Sequence, residues 1–187
     1  MKIRLTDQNA ELVAEWAKVA ADFVECICGD IFTSPADAVV SPANSFGFMD
    51  GGIDLAYSLR FGWHVQEQVQ AKIVADFAGE LLVGQALTVA TNDPQFPWLI
   101  AAPTMRVPMV IADPNAVRLA TRAAVRAAAF LGVATLLMPG MGTATGRVAP
   151  ALASRLMMAG IRDALSPAPF PQSWLAASDD HYSHFRN

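Results

Sequence analysis

The sequence is short of charge: 16% of its 187 residues are Asp, Glu, Lys or Arg, while 53% are hydrophobic. So apolar a chain suggests strands buried on both faces, as in a helix-covered sheet. Lys and Arg form no cluster, and the net charge is −4. That excludes the basic footprint of a sequence-independent nucleic-acid binder. A phosphate-bearing ligand would have to be held by backbone amides and helix ends more than by lysines. Cysteine is scarce as well. Cys26 and Cys28 are spaced C-x-C inside a hydrophobic strand pattern, so both point to one face. They are expected to be reduced core thiols of a cytoplasmic protein, with no disulfide and no metal pair. Residues 127–146 carry no charge, but the continuous apolar part stops at Met138, where Pro139 and Gly140 follow. A membrane span needs about 20 apolar residues in a row. The opening MKIRLTDQNAEL has no apolar core of a secretory signal. No membrane partner is expected.

What is present alternates short strand-like runs with longer helical ones, the pattern of an α/β fold. Residues 1–187 are large enough for one domain with a full core, and neither an internal repeat nor an interdomain linker is evident. Ile3 to Leu5 reads as an edge strand. Asp7 is placed to cap a helix over 8–20 that carries Leu12, Val13 and Trp16 on one face. Strands are expected over 23–28, 37–41, 85–91, 98–102 and 133–138. Helices are expected over 53–60, 65–77, 115–131 and 149–165. Arg118, Arg122 and Arg126 recur every four residues and read as one solvated stripe. The tail after Ser166 has three prolines and no clear period, so an irregular wrap is expected over 166–187. His181 and His184, with Asp179 and Asp180, have the side chains of a metal site but lie in that tail, and no metal site is expected. Arg106 is expected to pair with a surface acid, and His64 to start a helix.

Three segments fall at the C-terminal ends of expected strands, where open α/β sheets place ligands. Gly29-Asp30-Ile31 ends one strand and on its own is a turn. The second runs Ser41-Pro42-Ala43-Asn44-Ser45, then Asp50-Gly51-Gly52-Ile53-Asp54 into a helix. Here Asn44 can satisfy backbone and Asp54 can cap the helix; equally, the amides can face an anion and the two side chains suit sugar chemistry. The third is Gly140-Met141-Gly142-Thr143-Ala144-Thr145-Gly146, followed by Arg147 and a helix. It is either a flexible connection or a phosphate-binding turn. It does not follow the first strand of a dinucleotide-binding unit, and no Gly-Lys-Ser/Thr accompanies it, so neither common nucleotide-loop pattern applies.

Taken in order, these segments resemble the macrodomain family. That family has Gly-Asp-(Ile/Val), then an Asn-Ser pair followed by Gly-Gly-(Val/Ile)-Asp, and a later Gly-rich loop. Gly84-Gln85-Ala86 opens a strand as the family's Gly-Glu-Ala does. The resemblance spans about residues 23–165 and implies a three-layer α/β/α sandwich with a mixed, mostly parallel sheet. It implies ADP-ribose, free or attached to a macromolecule, as the ligand, and no cofactor. Asp30 would accept from the adenine amino group, with the Ile31 amide beside it. Asn44 would bridge ribose hydroxyls. Gly51 and Gly52 would let the backbone approach the diphosphate, Ser45 and Ile53 would be ligand-binding neighbours, and Asp50 would help Asp54 place a water. Gly140, Gly142, Thr143, Ala144, Thr145, Gly146 and Arg147 would wrap the phosphates. If the protein is a hydrolase, Asn44 and Asp54 would be the catalytic pair, acting without metal; otherwise it is a non-catalytic reader, or a partner-binding module without nucleotide.

The chain departs from the family at four points. Ser41 replaces the first Asn of Asn-Ala-Ala-Asn, Phe48-Met49-Asp50 breaks the Gly run, Tyr57-Ser58 stands where hydrolases have His-Arg, and Ala144 replaces the second loop's aromatic. Phe46 or Phe48 is a candidate to compensate for that aromatic. Phe170, Trp174 and Tyr182 are candidates to stack on adenine.

Overall fold

The computed structural model describes residues 1–166 and 169–183. Six strands form one sheet: β1 (Lys2–Asp7), β2 (Val24–Cys28), β3 (Ala38–Ser41), β4 (Leu87–Ala90), β5 (Trp98–Ala101) and β6 (Thr135–Met138). Their spatial order is β2-β1-β6-β3-β5-β4, all neighbours parallel except the antiparallel β4–β5 pair. The mixed, mostly parallel sheet agrees with the expectation from sequence. Six helices are described: α1 (Ala10–Val19), α2 (Gly52–Phe61), α3 (His64–Asp76), α4 (Asn115–Leu131), α5 (Pro150–Leu165) and α6 (Trp174–Ser183).

Alternation along each central strand divides the core in two, because successive side chains leave a strand on opposite faces. Ala38, Val40, Ile100, Leu136 and Met138 join α1, α4 and α5 on one face. Val39, Leu99, Ala101 and Leu137 join α2 and α3 on the other. With both faces covered, the central strands β3, β5 and β6 have no polar side to show, which contributes to the shortage of charge.

Four expectations are corrected. β1 is not an edge: it lies between β2 and β6, and Ile3 and Leu5 are fully buried. The one charged residue between them, Arg4, is satisfied by Glu25 Oε2 at 3.1 Å and the Pro35 carbonyl at 3.0 Å. The cap of α1 is Asn9, whose Oδ1 accepts from the Glu11 and Leu12 amides, not Asp7. The arginine stripe of α4 is not uniformly solvated. Arg118 is largely buried and pairs with Asp163 at 2.6 Å, where the α4–α5 crossing is close enough that a Cβ on Gly160 would stand 2.5 Å from the Arg118 carbonyl oxygen. The tail holds α6, although none of its residues is buried. His184, one of the tail residues with a metal-binding type of side chain, lies outside the described residues. Among the described residues no His, Cys, Asp and Glu gather as a metal site, and no helix is long and apolar enough to cross a membrane. Arg106 pairs with Glu80 at 2.8 Å, and His64 opens α3.

Candidate functional site

A cleft of about 580 Å³ opens at the C-terminal ends of β1, β2, β3, β5 and β6. All three motif segments line it. From the first come Gly29, Asp30 and Ile31. From the second come Asn44, Asp50, Gly51, Gly52, Ile53 and Asp54, and from the third Gly140, Gly142, Thr143, Ala144, Thr145 and Gly146. Two singled-out residues do not line it. Ser45 is buried behind the loop, its amide on the Arg106 carbonyl and its carbonyl on the Leu81 amide. Arg147 is exposed, in a left-handed conformation (φ 54°) beyond the end of the second loop.

The first segment is built around Asp30. Its Oδ1 accepts from the Phe32 amide at 2.9 Å and so caps the short turn Ile31–Thr33, while the residue itself stays exposed. One carboxylate oxygen is occupied by the cap; the other is available to a donor.

Asn44 is used mainly to shape its own loop. Nδ2 donates to the Phe48 carbonyl at 2.8 Å, and Oδ1 accepts from the Phe46 and Phe48 amides at 3.1 and 3.3 Å. Both acceptor sites of the amide are therefore taken, and one N–H remains for a ligand. The tight loop needs Gly47, whose φ is 68° and where a Cβ would stand 2.6 Å from Val69 Cγ1.

Asp54 lies in the first turn of α2 and is 8% exposed. Its Oδ1 accepts from Ser41 Oγ at 2.5 Å, and no described residue donates to Oδ2. Burial pushes its carboxyl up to about 7, against the downward pull of the Ser41 hydroxyl. Behind it Tyr57 donates to the Val40 carbonyl at 3.0 Å. Burial, then the neighbouring Asp54 and Asp7 carboxylates, hold the Tyr57 phenol well above its ordinary value. Tyr57, where a His was expected of a hydrolase, is thus a buried prop.

The α2 N-terminus has Gly51 as its cap residue with no side chain on the first amides. Those unoccupied N–H groups, with the helix dipole, favour an anion. The second loop is pinned at both ends. Gly140 N donates to Asp7 Oδ2 at 3.1 Å, and the Val148 amide donates to the Gly142 carbonyl at 3.1 Å. No described residue accepts from the amides of Thr143, Ala144 and Thr145. Gly142 (φ 72°) and Gly146 allow the turn, since a Cβ on either would run into Ile111.

The charge of the cleft is one-sided. Asp7, Asp30, Asp50 and Asp54 line it, and among the described residues no Lys or Arg does. Backbone N–H groups are therefore the positive features it offers to a phosphate.

Sequence reasoning missed the β1 end (Thr6, Asp7, Gln8, Asn9), and in the segment after β5 it weighs only Arg106, whereas Thr104, Met105 and Pro108 are the residues that line the cleft. From the sequence Asp7 reads only as a helix cap. Its link to Gly140 crosses 133 positions of chain and leaves no local signal. Phe48 lines the cleft and Phe46 does not; Arg106 lies over the Phe46 ring at 5.0 Å. Phe170, Trp174 and Tyr182 are exposed and line no part of the cleft.

The comparisons with known proteins agree with this architecture. The Macro domain model matches residues 40–157. An uncharacterized protein of Aquifex aeolicus is 32% identical over 139 residues, which is 74% of this chain and 81% of that protein. One of Aeropyrum pernix is 34% identical over 128 residues, 68% of this chain; the match spans slightly under two-thirds (64%) of that protein. Among solved structures, the macrodomain of Mycobacterium tuberculosis DarG superposes with a TM-score of 0.62 at 18% identity, covering 72% of this chain and 87% of its own. A variant of the Oceanobacillus iheyensis macrodomain, with ADPR, superposes with a TM-score of 0.63 at 16% identity, covering 71% and 73%. At such identities the structural likeness is one of fold; with the family match and the Aquifex relative beside it, the chain belongs to the Macro domain family.

Proposed function

We propose that the cleft binds ADP-ribose, free or attached to a macromolecule, and that the protein hydrolyses a bond at the anomeric carbon of the distal ribose. The observation that carries the binding reading is the combination of two sets of unoccupied amides, at the α2 N-terminus and in the second loop, in one cleft that no described Lys or Arg lines. Such a site suits a diphosphate held by backbone. Asp30, an acceptor at one side of the cleft, suits the adenine amino group. The free N–H of Asn44 suits a ribose hydroxyl.

For hydrolysis, Asp54 is the group of the right type. Water adds to the anomeric carbon through an oxocarbenium-like state, its proton passes to the Asp54 carboxylate, and the bond from that carbon to the linked group breaks. The leaving atom takes a proton from solvent. A carboxyl near 7 is divided between its two forms at neutral pH, so it can accept that proton and release it again. Asp50, exposed on the same rim, helps place the water. No step uses a cofactor.

A second reading is a reader that binds without cleaving. It is favoured by Asn44, whose side chain is largely committed to its loop. Calorimetric titration with ADP-ribose, AMP and ADP tests binding, and Asp54→Ala separates the readings. Selective ADP-ribose binding with turnover lost only in the variant supports the hydrolase; full turnover in the variant sinks the Asp54 mechanism. No binding of any adenine nucleotide leaves a partner-binding role.

A further inference from the structure

The segment between β5 and α4 forms one wall of the cleft. Met105 is bridged to Asn44, and the Ile111 amide donates to the Gly146 carbonyl at 3.0 Å, so this segment spans from the first loop to the second. Between those anchors the Met109 amide is turned to Met105 Sδ at 3.4 Å. The wall is apolar. Met105 and Pro108 face the cleft, Phe48 stands on the same rim at 55% exposed, and Val107, Met109 and Val110 continue outward at 42–54% exposed. The segment's one cation, Arg106, does not serve this wall: it is paired with Glu80 and lies over Phe46. Contiguous apolar exposure at the mouth of a ligand cleft marks what the ligand presents there.

We infer that this wall receives an uncharged, apolar group carried by the distal ribose, so that the preferred ligand is a small ADP-ribose derivative with an apolar substituent rather than one joined to a charged side chain. The inference rests on the ADP-ribose reading, because Asn44, the residue beside the wall, is what places the distal ribose there. A charged substituent would lose hydration against Phe48, Met105 and Pro108 with no opposite charge to offset it.

The test uses chemically stable anomeric glycosides of ADP-ribose: methyl, butyl, and a carboxypropyl chain of similar length, titrated by calorimetry beside ADP-ribose itself. A fully buried methylene is worth about fourfold in affinity, so three half-buried ones should make the butyl glycoside about eightfold tighter than the methyl. The carboxypropyl glycoside should bind no tighter than the methyl. Met109→Asp, which puts a carboxylate on the outer part of the same wall, should erase the butyl gain. Methyl and butyl glycosides within twofold of each other, with ADP-ribose bound, would overturn the inference and leave the ADP-ribose reading standing. A peptide bearing ADP-ribose on a Glu side chain binding tighter than the butyl glycoside would also overturn it. Failure of ADP-ribose itself to bind would remove both.

Discussion

The Ser41 hydroxyl donates to Asp54 Oδ1 across 2.5 Å and ties the last residue of β3 to the first turn of α2. Ser41 stands where the family commonly has Asn, and it is the one polar group that draws the Asp54 carboxyl downward. Ser41→Ala should therefore raise the Asp54 value further above about 7. In a pH profile of ADP-ribosyl hydrolysis the acidic limb should move to higher pH, with little change in ADP-ribose affinity. An unmoved limb would mean that Asp54 is not the titrating base.

The same carboxyl makes stability depend on pH. Its folded value, about 7, is above the ordinary 3.8, so between these limits the folded state binds more protons than the unfolded one. Stability then falls as pH rises from about 4 to 7, by at most about 4 kcal/mol from this group. In Asp54→Asn that contribution should vanish. Urea unfolding of both proteins at pH 4.5 and 7.5 (conditions chosen to bracket the window) checks it: the variant should gain on the wild type at the higher pH.

Tyr57 Oη reaches the Val40 carbonyl from a fully buried position. Tyr57→Phe keeps the ring among Phe32 and Phe61 and removes only that bond. A loss of about 1 kcal/mol in unfolding free energy is expected. Because the phenol is a prop and not a catalyst, turnover should be retained, and a large loss of kcat with native stability would contradict that.

Asp30→Asn preserves an oxygen to accept from the Phe32 amide and removes the carboxylate. If Asp30 reads the adenine amino group, ADP-ribose affinity should drop by about 1–3 kcal/mol with little change in Tm. Calorimetry giving equal affinities would reject the adenine assignment.

Gly142→Ala places a Cβ 2.8 Å from Ile111 and 2.9 Å from Val117, on a residue with φ 72°. Strain and overpacking together should cost about 1–3 kcal/mol, and ADP-ribose binding should weaken as the second loop shifts. Arg147→Ala, at a residue outside the cleft lining, should change affinity by less than about twofold, the scale of an exposed charge. A tenfold loss there would place the guanidinium on the phosphates.

The sequence by itself determined what depends on neighbours along the chain. Alternation of apolar residues in short strands, the Gly-Gly-Ile-Asp run at a helix start and the Gly-rich turn before α5 are local patterns. Their order was enough to indicate an α/β fold and the three cleft segments, and their resemblance to the macrodomain family implied the mixed sheet. Only the tertiary structure decided what depends on pairing between distant segments. β1 reads as an edge until β2 and β6 are seen on either side of it, and Asp7 reads as a cap until Gly140 is seen beside it. The same holds for Asn44, whose amide is taken up by the loop's own backbone except for one N–H, and for Met105 to Ile111, which become a cleft wall only by joining Asn44 to Gly146. Parallel pairing joins residues far apart in sequence, and hydrogen-bond demand is settled by whichever group arrives there; neither leaves a periodicity to read.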